Sequence, residues 1–273
     1  MTDPTFFNQF LIWPFINALI LFYKGFASFS IPFPLGWAII GLTLTVRTIL
    51  HPLTKTQMES ARRMQELKPE LDKLTKKHKG DRKKLQEEQV KLYQKHGINP
   101  AAGCLPMLLQ FPILIALYQV FFKVLGNGNI EETVGAINTI AYHPALRIES
   151  LDLSFFGLQL GYTPSQWQTA GWWLLAIPVV TAGLQWYQTK KLMPPVPVAD
   201  KPDKDKGKKD ESFAVEMQKQ MALIMPVMIG VFSYSLPIGL SLYWNTYTVL
   251  ALVNGKKKKD YDTNSKEQKS NEQ

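Results

Sequence analysis

The sequence predicts an all-α integral membrane protein: a five-helix transmembrane bundle with an antiparallel helical hairpin in the cytoplasm. Three observations lead there. Residues 101–122, 153–189 and 220–255 contain no Asp, Glu, Lys or Arg, and uncharged runs of that length mark membrane spans, not the surface helices of a soluble domain. The 31 Lys and Arg outnumber the 22 Asp and Glu, giving a formal charge of +9, and this excess is gathered between the apolar runs. Residues 55–97 hold 13 Lys and Arg, residues 190–219 hold eight and the tail after residue 255 holds six, against two or three in the intervening segments. Five spans with the N-terminus outside and the C-terminus in the cytoplasm put every basic stretch on the inner side, as the positive-inside rule asks.

Residues 4–34 open the chain. The run 4–23 is uncharged but broken by Asn8, Gln9, Pro14 and Asn17. A cleaved signal would carry positive charge ahead of this run and small residues after it, whereas Asp3 precedes it. As a span it would place Asp3 inside and Lys24 outside, the reverse of the charge rule. An amphipathic helix in the outer interface is therefore expected, closed by Pro32 and Pro34, with an extra span as the alternative. Span 1 covers residues 35–54. In residues 55–98, Met64, Leu67, Leu71 and Leu74 follow a 3, 4, 3 spacing, a coiled-coil seam. Gly80-Asp81 turns the chain, Leu85 and Leu92 continue the pattern, and Pro69 is expected to kink the first helix.

Span 2 is expected over 101–123, an external loop over 124–165 and span 3 over 166–188, with Trp172, Trp173 and Trp186 near its ends as interfacial anchors. Residues 189–218, with several Pro and alternating Lys and Asp, read as a disordered cytoplasmic linker. The run 220–255 is too long for one span and short for two. Leu236-Pro237-Ile238-Gly239 breaks it into span 4 (219–236) and span 5 (237–255), helices short enough to need local thinning of the bilayer. A basic, polar and disordered cytoplasmic tail fills 256–273.

Arg47 is the one formal charge in residues 35–53. An arginine there is costly and usually faces water or a partner. It lies eight residues before Lys55, about 12 Å along a helix, so its stem could also snorkel toward the headgroups. The spans otherwise carry neutral hydrogen-bonding residues: Thr43, Thr45 and Thr48; Gln110, Tyr118 and Gln119; Thr181 and Gln185; and Ser233, Ser235, Ser241, Tyr243, Trp244, Asn245, Thr246 and Tyr247. Most such groups bond their own helix or join neighbours; as a set beside an arginine without a carboxylate, they point to a hydrated cavity. No acid pair, Ser/His/Asp set or His cluster lies in the spans, so no enzyme, cofactor or metal is expected. Cys104 is the sole cysteine, which excludes an intramolecular disulfide. The aromatic residues sit in the apolar runs and not on a basic face, which argues against DNA binding.

The run Val46-Arg47-Thr48-Ile49-Leu50-His51-Pro52-Leu53-Thr54-Lys55-Thr56-Gln57 resembles the first conserved span of the YidC/Oxa/Alb membrane protein insertases. Asn99-Pro100-Ala101-Ala102-Gly103-Cys104-Leu105-Pro106 with Gln110-Phe111-Pro112 is similar to the start of that family's second span. Leu223-Ile224-Met225-Pro226 and Leu236-Pro237-Ile238-Gly239-Leu240-Ser241-Leu242-Tyr243-Trp244 resemble its last two. The likeness runs from about residue 10 to 255, in family order, and the chain is similar to the short five-span bacterial form.

That resemblance implies an insertase and chaperone of the cell inner membrane, alone or with the Sec translocon. Arg47 would be the positive centre of a polar groove open to the cytoplasm and to lipid, lined by Thr43, Gln185, Tyr243 and Trp244, with Gln110 a weaker assignment. The partners implied are nascent membrane proteins and lipid, with the Sec translocon, the ribosome and the signal recognition pathway as further candidates. Two other classes remain: a small-solute transporter or channel, which the absence of an inverted repeat and of midplane carboxylates disfavours, and an assembly factor whose spans only anchor it.

Overall fold

The computed structural model describes residues 2–52, 63, 66–78, 81–97, 105–125, 129–192 and 213–271. The chain falls into two units, one of residues 1–49, 111–191 and 226–273, the other of residues 50–110 and 192–225. It is mostly helical.

In the first unit, a π-helical turn (Asn8–Ile12) leads into α1 (Trp13–Ser28), with Pro14 in the first turn where its missing N–H is not needed. After two left-handed residues, Ser30 and Phe33, α2 (Pro34–Ile49) starts on a proline. Leu35, Ala38, Ile39, Leu42, Thr43 and Val46 form one buried stripe at helical spacing. This stripe meets α1 on one side and α10 (Ile238–Asn271) on the other.

The segment between residues 129 and 162 binds α1 and caps α10. It contains α6 (Ile130–Thr139), whose N-cap Asn129 accepts the Glu132 N–H. Asn17 of α1 donates to the Ile140 carbonyl (3.0 Å) and accepts the Tyr142 N–H (2.8 Å). Tyr23 accepts from the Asp152 N–H (3.2 Å), and Lys24 donates to the Arg147 carbonyl (2.8 Å). The N–H groups of Ile238 and Gly239, which a helix start leaves unpaired, donate to the carbonyls of Tyr162 and Leu160 at 2.8 and 2.9 Å.

Two features depart from an all-helical reading. Strands β1 (Ser154–Phe155) and β2 (Leu158–Gln159) pair antiparallel around Phe156-Gly157, both with positive φ (48° and 81°), the geometry of a two-residue type I′ turn. The third long apolar helix, α8 (Ala176–Leu192), begins well after residue 166. Before it come the four-residue α7 (Trp167–Ala170), Gly171 at φ 115°, and a 3₁₀ turn (Trp172–Leu175). That glycine conformation is closed to other residues and interrupts the helix.

α9 (Phe213–Ser235) and α10 lie on either side of Leu236-Pro237, and α5 spans Leu105–Leu125. α10 continues to Asn271, where a disordered tail was expected; the Lys, Glu and Gln after residue 255 favour helix. Among the described residues one helix, Asn8–Ser28, is long and apolar enough to cross a bilayer by length and composition. Shorter apolar helices cover Pro34–Ile49, Ile115–Leu125 and Ala222–Ser235.

The second unit contains α3 (Lys68–Lys77) and α4 (Arg82–Lys95). Pro69 sits in the first turn of α3, not in its interior, where it costs no hydrogen bond. Asp81 caps α4 by accepting the Lys84 N–H. Leu67 and Leu71 pack against Leu92 and Tyr93, and burial pushes the Tyr93 phenol above its ordinary pKa. Glu70 at the start of α3 lies 3.5 Å from His96 beyond the end of α4. Lys91 donates to Glu88 at 2.8 Å and thereby holds that carboxyl below the usual range. Met64, Gly80, Cys104 and the linker 193–212 lie outside the described residues.

Candidate functional site

Arg47 is set near the end of α2, one turn beyond the buried Thr43. Its stem is half-buried, and its guanidinium turns to α10. There Nη1 donates to the Tyr247 carbonyl at 3.3 Å, and Cζ lies 4.7 Å from the centroid of the Tyr247 ring, a cation–π distance. The Arg47 Nε is buried and has no hydrogen-bond partner among the described residues.

Thr43 is 1% exposed and its hydroxyl donates to the Ile39 carbonyl at 2.7 Å. Thr45 and Thr48 likewise bond Gly41 and Leu44 one turn back, the ordinary use of such hydroxyls in apolar helices. Two of the predicted site residues do meet: the Trp244 indole N–H donates to the Gln185 side-chain carbonyl at 3.1 Å, tying α10 to α8. Tyr243 is 1% exposed, its ring 6.3 Å from that of Tyr247. Gln110 belongs to α5 in the second unit, and its side chain lies outside the described residues.

α10 is thus the common element, holding Arg47 of α2 through Tyr247 and Gln185 of α8 through Trp244. Trp244 and Tyr247, three residues apart, share a helix side. Three further buried polar atoms have no partner among the described residues: Thr181 Oγ1 on α8, and Asn245 Oδ1 and Thr248 Oγ1 on α10. Buried polar atoms are nearly always bonded, so a set of four with Arg47 Nε is a chemical signal. Ser233 and Ser241, by contrast, satisfy each other across α9 and α10 at 2.9 Å.

Sequence reasoning did not single out Tyr247 as the partner of Arg47, nor Thr248 at all. The three-residue spacing of Asn245 and Thr248 was the available signal, since it places two polar groups on one side of an apolar helix. Among the described residues, no group of three His, Cys, Asp or Glu could hold a metal.

The family described as "60Kd inner membrane protein" matches residues 26–257. The chain is 33% identical over 237 residues to "Inner membrane protein ALBINO3, chloroplastic" of Arabidopsis thaliana, across 83% of this chain and 47% of that protein. It is 32% identical over 241 residues to "Inner membrane ALBINO3-like protein 1, chloroplastic" of Chlamydomonas reinhardtii, across 86% of this chain and 46% of that one. Over 249 residues it is 30% identical to "Membrane protein insertase YidC" of Leptospira interrogans, 90% of this chain and 34% of that protein. The chain spans about half the length of the chloroplast relatives and about a third of the Leptospira protein. With most of its length matched both by the family and by these relatives, this chain belongs to the 60Kd inner membrane protein family, that of the YidC, Oxa and Alb proteins.

Proposed function

We propose that this chain inserts nascent membrane proteins into the lipid bilayer and assists their folding, without a covalent step. The observation that carries the reading is Arg47: a half-buried cation on an apolar helix, held by a carbonyl and a ring, with its Nε and three neutral polar atoms left without partners among the described residues. Such atoms are costly when dry and are satisfied by water or by a passing polar chain. Arg47, Thr43, Gln185, Tyr243 and Trp244 then line a polar groove open to the cytoplasm.

Desolvation is what stops a hydrophilic segment from crossing hydrocarbon. Arg47 draws an acidic segment part of the way, and the apolar segment that follows partitions into lipid by burying its own surface. In this reading five spans place the N-terminus outside and the C-terminus in the cytoplasm, and the α3–α4 hairpin receives substrates or the signal recognition pathway. The basic tail meets ribosomal RNA electrostatically, and the Sec translocon is a partner for part of the traffic. The bonds from Asn17, Tyr23 and Lys24 to residues 140–152 favour an α1 lying in the outer interface beside that polar segment.

The test is solvent accessibility. With Cys104 replaced, a cysteine at 43, 185 or 244 reacts with a water-soluble thiol reagent from the cytoplasmic side. Labelling from outside, or at none of the three, sinks the groove. Arg47→Ala proteoliposomes should lose insertion of single-span substrates with acidic tails; full insertion removes the arginine from the mechanism. Solute flux through the purified protein in liposomes would favour a transporter instead.

A further inference from the structure

We propose that Tyr247 is the positioning residue of the Arg47 charge, and that it fixes the guanidinium so that one fork edge is presented to an incoming carboxylate. The inference rests on the groove reading above and goes one step further into its chemistry. A lone arginine on a helix end has four rotatable bonds and would present its charge as a diffuse cloud. Here two contacts from one residue remove that freedom. The Tyr247 carbonyl accepts Nη1 at 3.3 Å, and the Tyr247 ring covers the guanidinium at 4.7 Å. The carbonyl fixes one edge and the ring fixes the plane.

The Tyr247 platform is itself held. Tyr243, one turn earlier on α10 and 1% exposed, sets its ring 6.3 Å from that of Tyr247, and α10 packs along α2. With Nη1 engaged, the remaining fork of the planar cation is the edge formed by Nε and Nη2; among the described residues Nε has no partner, and because it is buried a carboxylate reaches this edge only as the neighbouring side chains give way. Two parallel N–H groups match the two oxygens of a carboxylate. A point charge on a lysine would offer attraction without that match. The favoured ligand is therefore an Asp or Glu side chain in the translocated segment, not negative charge in general.

The experiment uses the full chain in proteoliposomes and two single-span substrates that differ only in carrying an acidic or a neutral N-terminal tail. The readout is the ratio of their insertion yields. Tyr247→Leu removes the ring and should lower the acidic-to-neutral ratio by about two- to fivefold, the scale of a partly exposed cation–π contact. Tyr247→Phe keeps the ring and the backbone carbonyl and should retain the wild-type ratio. In an Arg47→Ala background, Tyr247→Leu should have no further effect, because a residue that acts through another is silent once that other is gone. Arg47→Lys supplies an arm that leaves Tyr247 intact and should lower the ratio too.

Equal loss on both tails in Tyr247→Leu, an unchanged ratio, or a persistent effect in the Arg47→Ala background overturns the positioning role. A wild-type ratio in Arg47→Lys overturns the fork. If Arg47→Ala itself leaves the ratio unchanged, the groove reading fails and takes this proposal with it. If Arg47→Ala lowers the ratio and Tyr247→Leu does not, the proposal fails alone.

Discussion

Among the described residues Arg47 faces a carbonyl and an aromatic ring, with no carboxylate bonded to it. That choice leaves its positive charge uncancelled, which a buried ion pair would not. The Trp244–Gln185 pair is a different case, because each side chain satisfies the other. Gln185→Leu leaves the indole N–H without its acceptor and should cost about 1–3 kcal/mol, read as a lower Tm in detergent micelles. An unchanged Tm would mean that water replaces the amide freely. Neither contact was legible in the sequence. Arg47 and Tyr247 are 200 positions apart and Gln185 and Trp244 are 59 apart, beyond the reach of any local periodicity. The resemblance supplied Gln185 and Trp244 as separate candidates, and only the packing of α8 against α10 joins them.

The helices themselves were easier to read, since uncharged runs bounded by basic clusters leave few alternatives to helix. What escaped were the places where backbone geometry rules. The helix break at Gly171 and the I′ turn at Phe156-Gly157 depend on positive φ values that composition does not announce. Close approach has the same character. A Cβ on Gly239 would lie 2.6 Å from Leu125 Cδ1 and 3.3 Å from Phe121 Cδ1, so α10 starts against side-chain ends of α5 that must shift to admit a larger residue. Gly239→Ala should therefore cost about 1 kcal/mol, the low end of overpacking, because side-chain ends and not backbone must move, seen as a slightly lower thermal midpoint; wild-type stability would show that they move aside freely. Ser233 and Ser241 join α9 to α10 by one buried bond. Ser233→Ala and Ser241→Ala should each destabilise by about 1 kcal/mol, and together by less than their sum, since the double variant leaves no orphan hydroxyl. Strict additivity in unfolding measurements would place the two hydroxyls in separate environments.

At the scale of the molecule, charge and hydropathy separate the two units. The first is built on apolar helices with a handful of buried polar atoms; the second, apart from the starts of α5 and α9, is the basic α3–α4 pair around a small core of Leu67, Leu71, Leu92 and Tyr93. The bonds that tie α1 into the first unit also set a timetable. Asn17 finds both of its long-range partners 123 and 125 residues further along, so the first helix emerges from synthesis with the Asn17 amide nitrogen bonded only to the Trp13 carbonyl and the amide oxygen still without a donor. The helix cannot complete its bonds to the segment that holds these partners until residue 152 has been made. Contacts this distant in sequence close late and slowly. During that interval the Asn17 oxygen has no acceptor role to play along the chain already made, so the closing of α1 onto residues 140–152 waits on a segment more than a hundred positions away.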